Sequence, residues 1–280
     1  MPEGPEVTRV AVQLNSVAQN SFLENIDILS GRYTNTCPLN FNEFLEDLSY
    51  KSPIVKGVYN KGKFIWWTLD NGWYIFSTLG MSGSYKLQKI NNSRISFDLT
   101  GAYQNTIQFY KIFYVDPRNF GTIKFINDTR VLNKKLDELG PDMLNNPCSF
   151  EKFLEICRKN NNKSIVKFLM DQKQISGVGN IYKSESLYLA KISPFFKIKD
   201  ITNDNLFYLY NSIISVLQAS YKNFGSTIST YSDLYNLKGE YTTKSKLMVY
   251  GQSTDPNGNK VQKVILDDQR TTYFVPNVQC

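Results

Sequence analysis

One change of pattern does most to limit the fold. From about Ser52 to Phe125 the chain alternates aromatic and β-branched residues, as strands do, and from Ser149 to Phe224 its apolar residues recur at helical spacing. "KFIWWTLDNGWYIFSTLG" reads as two strands around Asn71-Gly72, a hairpin signal. "NTIQFYKIFYVDP" and "GTIKFIND" continue in the same style. "LGPDMLNNP" at 139–147 then reads as a linker, rich in turn residues. Beyond it, "SFEKFLEICRKN", "NKSIVKFLMDQ", "NIYKSESLYLAKI" and "ITNDNLFYLYNSIISVLQASYKNF" are helical. A chain built this way cannot be one uniform bundle or barrel. It must pack a sheet-based core and a helix-based core separately.

The two ends extend this division. "VTRVAVQLNSVAQN" places Val7, Val10, Ala11, Leu14 and Val17 on one helical face, with Pro5 suited to the first turn. From Lys244 the pattern returns to strands, and Pro256-Asn257-Gly258-Asn259 is expected to turn an exposed hairpin between "KLMVYGQ" and "VQKVILDDQRTTYFV". The fold class expected is α+β. It comprises a β-sandwich domain with a leading helix over 1–133, a linker over 134–150, a helical domain over 151–243 and a terminal hairpin over 244–280.

Composition narrows the chemistry. Among 280 residues, Lys and Arg exceed Asp and Glu by 32 to 25, which favours polyanionic partners, nucleic acid first. There is no histidine, so Ser–His and Cys–His nucleophile pairs are excluded, and the commonest metal ligand is missing. Any enzyme here works with amines, carboxylates or hydroxyls. Cys37, Cys148, Cys157 and Cys280 show no paired spacing and read as reduced thiols. Neither a membrane span nor a signal peptide is visible, so the expectation is an intracellular protein, nuclear or cytoplasmic, with no membrane partner.

Several short stretches could carry function. In "QISGVGNIYKSE" (174–185), Gly177 and Gly179 precede a helix expected to start at Asn180, an arrangement of amides suited to phosphate. "LGMSGS" (79–84) puts Met81 at a strand end among small residues. "DPRNFG" (116–121) puts Arg118 and Phe120 two apart, so both can point the same way from extended chain. "YNKGKF" (59–64) offers Lys61 and Lys63, and "DDQRTTYF" offers Arg270. Taken singly, each of these is more often an ordinary turn, a core methionine or a solvated charge.

Their order along the chain is more specific. The opening MPEGPE, then KGKF, LGMSGS, DPRNFG, ELGPD, KFLMDQ, SGVGNIYKSESL and the terminal QRTTYFVPNV together resemble the formamidopyrimidine-DNA glycosylase/endonuclease VIII family, nearly end to end. The resemblance implies a bifunctional enzyme of base excision repair that removes oxidised bases and then cuts the backbone at the abasic site. It also implies a β-sandwich, a helical domain with a helix–two-turns–helix, and a finger hairpin. Pro2, exposed once Met1 is removed, matches the nucleophile that forms a Schiff base. Glu3 matches the proton donor and acceptor, and Glu6 a supporting glutamate. Lys63, Asn180 and Arg270 match the residues that contact phosphates beside the lesion, with Lys63 also a proton-donor candidate and Arg270 linked to δ-elimination. Met81, Arg118 and Phe120 match the set that fills the void left by the flipped base.

The chain departs from the family pattern at the finger. Where relatives carry a C-P-x-C turn, this chain reads Val275-Pro276-Asn277-Val278, and the upstream cysteine pair is missing. A finger without zinc is therefore expected, held by strand pairing and by Phe274, Val275 and Val278, with no cofactor. The partner expected is double- or single-stranded DNA bearing oxidised bases or abasic sites, bound by a monomer. The lesions favoured are oxidised pyrimidines and hydantoin or formamidopyrimidine products, with 8-oxoguanine a poorer substrate. The loop over 229–243 occupies the place where relatives cover the flipped base. Two other readings stand beside the enzyme: a non-catalytic binder of damaged DNA with the same fold, and an RNA- or ribosome-associated protein.

Overall fold

The computed structural model describes residues 2–103, 106–226, 232–241 and 247–279. Two compact units emerge, neither continuous in sequence. The first comprises Met1–Pro2, Glu6–Asp137 and Ser226–Gly239, and the second Glu3–Pro5, Glu138–Gly225 and Glu240–Cys280. Ser226 and residues 232–239, expected with the helices, thus cluster with the sandwich.

In chain order the first unit contains α1 (Gly4–Ala18), β1 (Phe22–Ile28), α2 (Phe41–Tyr50), β2 (Val55–Lys61), β3 (Phe64–Leu69), β4 (Tyr74–Thr78), β5 (Ser84–Lys86), β6 (Ser93–Tyr103), β7 (Thr106–Val115), β8 (Thr122–Ile126) and α3 (Thr129–Asp137), although α1 begins in residues grouped with the second unit. One sheet runs β1-β6-β7-β5 and the other β2-β3-β4-β8, each antiparallel throughout. Trp67 of β3 stacks on Phe97 of β6 with ring centroids 5.4 Å apart, so the two sheets face each other across one core. Val7, Val10, Ala11, Leu14 and Ala18 bury the apolar stripe of α1 in that core. Phe41, Phe44 and Leu48 do the same for α2, with Phe44 stacked on Phe125.

The Asn71-Gly72 hairpin forms as expected, joining β3 and β4. β1 and α2 have no counterpart in the sequence reading. The pairing of β1 shifts register between Leu23 and Asn25, so its buried residues, Leu23 and Ile26, lie three apart. That bulge erases the period of two by which a strand is recognised.

The second unit contains α4 (Phe150–Lys159), α5 (Ile165–Met170), α6 (Asn180–Leu189), α7 (Asn203–Lys222), β9 (Gln262–Ile265) and β10 (Thr271–Phe274). Three of these helices start on side-chain caps. Ser149 accepts from Lys152 N, Ser164 from Lys167 N and Thr202 from Asn205 N. Phe153, Phe168, Tyr182, Leu209 and Ile213 are sealed in its core. Residues Ile181–Tyr188 of α6 are all buried, so this helix is covered on every side.

Two expectations need correction. The stretch read as a linker is packed chain: α3 occupies part of it, Met143 is fully buried, and Ser176 N donates to Pro141 O at 2.8 Å. The terminal hairpin is β9–β10, and its turn lies at 266–270, not at Pro256–Asn259. The earlier turn exists, closed by an isolated bridge between Thr254 and Lys260 and by the Asp255 carboxylate, which accepts from Asn257 N and Asn259 N, but no pair of strands flanks it among the described residues. No helix among the described residues is long and apolar enough to cross a membrane.

Candidate functional site

In the first unit, two loops carry the predicted void-filling residues, and one buried carboxylate organises both. Asp116, 1 % exposed, follows β7. Its Oδ1 accepts from the Ser82 hydroxyl at 3.2 Å and from Arg118 N at 3.3 Å, and its Oδ2 accepts from Gly121 N at 2.7 Å. Arg118 is exposed and its guanidinium lies 4.0 Å from the Met81 sulfur. Met81 is half-buried and Phe120 is 59 % exposed, so neither belongs to the core. The structure therefore brings Met81, Arg118 and Phe120 onto neighbouring loops, with two large side chains presented to solvent. Pro2 and Glu6 are buried in the same unit, and the Glu6 carboxylate accepts from Ser226 N at 2.6 Å. Lys63 is half-buried in the two-residue turn between β2 and β3.

The second unit holds Glu3. Its carboxylate, 1 % exposed, accepts from Ile181 N at 3.2 Å and Tyr182 N at 3.5 Å, the first free amides of α6. Gly177 and Gly179 are buried. The amide cradle expected to take phosphate thus takes a glutamate, because a helix N-terminus suits any anion placed there. Both glycines allow close approach. A Cβ on Gly179 would sit 2.1 Å from Glu3 Cδ, and Gly4 N donates to Gly177 O at 2.9 Å, where a Cβ on Gly4 would collide. Gly4 is therefore held against Gly177.

α6 also organises the finger. Asn180 Nδ2 donates to Thr271 O at 2.9 Å. Glu185 accepts from the backbone amides of Met248, Val249 and Tyr250 at 2.7–2.9 Å. Burial raises the Glu185 pKa above its ordinary value, and those three amides pull it back. Lys183 pairs with Asp268, the two side chains 0 % and 2 % exposed. Burial lowers the Lys183 pKa and Asp268 opposes that shift. Arg270 is exposed at the end of the hairpin turn, with its backbone N–H on Asp268 Oδ1 at 3.1 Å.

Val275 and Val278 pack beside Tyr188 and Val249 in a small apolar cluster, and Phe274 packs edge-on against Phe195. Among the described residues, no group of three or more His, Cys, Asp or Glu could hold a metal ion. Cys280 lies outside them, as do 229–231 and 242–243 of the loop expected over a flipped base. Cys37, Cys148 and Cys157 are free thiols, and burial pushes Cys157 up to about 12, which leaves it unreactive.

Sequence reasoning missed Asp116, which holds the loop of Arg118, and Lys183 and Asp268, which hold the turn of Arg270. Asp two positions before an arginine, at Asp116 and Asp268, marks a turn in the sequence but not the burial that makes either aspartate an anchor.

Three family models match the chain in succession. They describe the formamidopyrimidine-DNA glycosylase N-terminal domain over residues 1–123, its H2TH domain over 139–232 and its C-terminal domain over 241–280. A formamidopyrimidine-DNA glycosylase from Lactococcus lactis subsp. lactis is 30 % identical over 283 residues, spanning 100 % of this chain and 99 % of that one. Its counterpart from Legionella pneumophila is 28 % identical over 282 residues, covering 100 % and 98 %. Among solved structures, a Lactococcus lactis mutant in complex with Fapy-dG DNA superposes with a TM-score of 0.82 at 29 % identity, over 99 % of both chains. These matches do not separate the formamidopyrimidine branch from the endonuclease VIII-like branch.

Proposed function

Because the chain belongs to the formamidopyrimidine-DNA glycosylase family, we propose that it is a DNA glycosylase and abasic-site lyase of base excision repair, with Pro2 as nucleophile. The observation that carries this reading is Glu3, buried beside Pro2 in sequence and fixed on two α6 amides. A capped glutamate at that exact step is what an N-terminal nucleophile needs for a proton partner.

The chemistry follows from a secondary amine. An α-amino group titrates at roughly 7.7–8.0, so part of it is neutral at physiological pH. With Met1 removed, the neutral Pro2 nitrogen attacks sugar C1′, the base leaves and takes up a proton from solvent, and the amine proton passes to the Glu3 carboxylate. Glu3 supplies a proton to the opening ring, help typically worth roughly 10²–10⁴-fold. The resulting iminium acidifies the C2′ hydrogens, so the 3′ phosphate leaves by β-elimination and the 5′ phosphate by δ-elimination. Hydrolysis of the Schiff base restores Pro2.

The DNA partner is a duplex or single strand bearing oxidised bases or abasic sites. Lys63, Asn180 and Arg270 are assigned to phosphates, and Met81, Arg118 and Phe120 to the space a flipped base vacates. Flipping costs a few kcal/mol, which inserted side chains offset in part. The finger works without zinc, and the chain acts as a monomer. The lesions proposed are formamidopyrimidine and hydantoin products together with oxidised pyrimidines. Fapy-dG in the DNA of a similar structure supports the first class, and the PEGPE opening, which resembles the endonuclease VIII side of the family, supports the last.

Borohydride trapping on abasic-site DNA tests the core of this reading. A covalent adduct is expected with processed protein, and none with Pro2→Gly or with Met1 retained behind a tag. An adduct that survives Pro2→Gly moves the nucleophile elsewhere, and no adduct from processed protein leaves a binder of damaged DNA. Excision rates on defined lesions test substrate choice, and a strong preference for 8-oxoguanine opposite cytosine overturns it.

A further inference from the structure

The β9–β10 turn presents Arg270 to solvent, while α6 grips the turn on both sides of it. Two residues upstream, Asp268 pairs through Oδ2 with Lys183 Nζ. Its other oxygen accepts the backbone N–H of Arg270 itself, at 3.1 Å. One residue downstream, the Thr271 carbonyl accepts from Asn180 Nδ2 at 2.9 Å. Asn180 and Lys183 lie one turn apart on α6, so both anchors come from the same rigid element.

We propose that the buried Lys183–Asp268 pair is a positioning device for Arg270, fixing its backbone so that the guanidinium is presented ready to meet a DNA phosphate. The proposal rests on the reading of Arg270 as a phosphate contact. Lys183 cannot itself serve as that contact, since its side chain is 0 % exposed and already paired. Nor is a buried ion pair an efficient source of stability. Apolar residues of similar volume often stabilise a fold as well or better, and the best-attested use of such pairs is to specify one geometry. A two-stranded hairpin is marginal alone, so its tip would otherwise wander. Ordering the arginine in advance removes part of the entropy that binding must overcome.

The experiment is a double-mutant cycle read by DNA affinity and salt dependence. Wild type, Lys183→Met, Arg270→Ala and the double variant are titrated against a duplex containing a tetrahydrofuran abasic analogue over a range of salt. Unfolding midpoints are measured alongside. Arg270→Ala should weaken binding by roughly tenfold or more, the weight of a charge-assisted hydrogen bond. It should also flatten the salt slope by about 0.9, one phosphate contact. Lys183→Met should reproduce both changes, and should add little in the Arg270→Ala background. A role confined to stability would lower the midpoint, leave the salt slope alone and add to the arginine effect; that outcome overturns the proposal. So does Lys183→Met with wild-type affinity while Arg270→Ala is impaired. An Arg270→Ala protein that binds normally overturns the reading of Arg270 beneath it. Should Lys183→Met fail to fold, Lys183→Met with Asp268→Leu keeps an apolar pair in place, and the same loss of affinity and slope is expected.

Discussion

Arg118 and Arg270 occupy the same local setting, one in each unit, and differ in what lies beneath them. Each follows an aspartate by two residues, and each gives its backbone N–H to that aspartate, at 3.3 Å for Asp116 and 3.1 Å for Asp268. Both side chains are exposed. Asp116 is otherwise satisfied by neutral donors, the Ser82 hydroxyl and the Gly121 amide. Asp268 is paired with a buried lysine. The loop of Arg118 runs from β7 to β8, which belong to the two four-stranded sheets, so its ends are already fixed. The turn of Arg270 closes a two-stranded hairpin and needs an anchor from outside it. The same turn chemistry therefore rests on a buried ion pair in one place and on a buried carboxylate held by neutral donors in the other.

The largest effect should come from breaking the charged case. Asp268→Asn leaves Lys183 buried and unpaired, a change expected to destabilise the second unit by about 3–5 kcal/mol in denaturant unfolding. Asp116→Asn also keeps one oxygen for Arg118 N, but turns an N–H donor toward Gly121 N. One unsatisfied donor costs about 1–3 kcal/mol. If the two substitutions cost the same, the contrast between a neutral and a charged anchor fails. Removing Arg118 itself separates anchor from function. Arg118→Ala should leave stability within about 0.5 kcal/mol, as for other exposed side chains. It should also lower kcat/KM for lesion excision by roughly tenfold, about 1.4 kcal/mol of lost transition-state stabilisation. A large drop in the unfolding midpoint with excision intact would make Arg118 structural and erase the parallel.

How far this contrast was legible depended on burial. The strand run, the Asn71-Gly72 hairpin and the start of α6 after Gly179 each rest on local chemistry, and each forms where local chemistry places it. That Met81, Arg118 and Phe120 lie on loops was readable because a loop tip is described by its own residues. The anchors were not. Asp128-Thr129-Arg130 has the same spacing as Asp116 to Arg118 and Asp268 to Arg270, with the Arg130 N–H on Asp128 at 2.8 Å, yet it lies exposed at the start of α3. Only what packs over an aspartate tells the three apart. Lys183 and Glu185 read as the polar face of a helix, but α6 is covered all round, and no period along one segment reveals that. Pro256-Asn257-Gly258-Asn259 has the stronger turn signature, yet Leu266–Arg270 turns the hairpin, with Gln269 at φ +56°. There the pairing of β9 with β10 outweighed the propensity of the turn.

The smallest effect concerns a second buried lysine, in the first unit. Lys86 Nζ donates to the Ser232 carbonyl at 2.9 Å, to the Ser232 hydroxyl at 2.6 Å and to the Asp233 carbonyl. The Asp233 carboxylate is engaged instead by Arg9 and Gln13, and its Oδ1 accepts from Tyr235 N and Leu237 N. Unlike Lys183, Lys86 thus has oxygen partners but no carboxylate of its own. Burial pushes its pKa down to about 8 from an ordinary 10.5, against the pull of the Asp233 charge. Between those two values the unfolded chain holds more protons at this position than the folded one, so the stability contributed by Lys86 rises with pH. Below about 8 both states are protonated and the full burial penalty is present. Relative to Lys86→Met, which cannot titrate, the wild type should gain about 1 kcal/mol of unfolding free energy between pH 8 and 9. Parallel pH profiles for the two proteins would mean that the three oxygens serve Lys86 as well as a carboxylate serves Lys183, and that what distinguishes the anchors is geometry rather than charge.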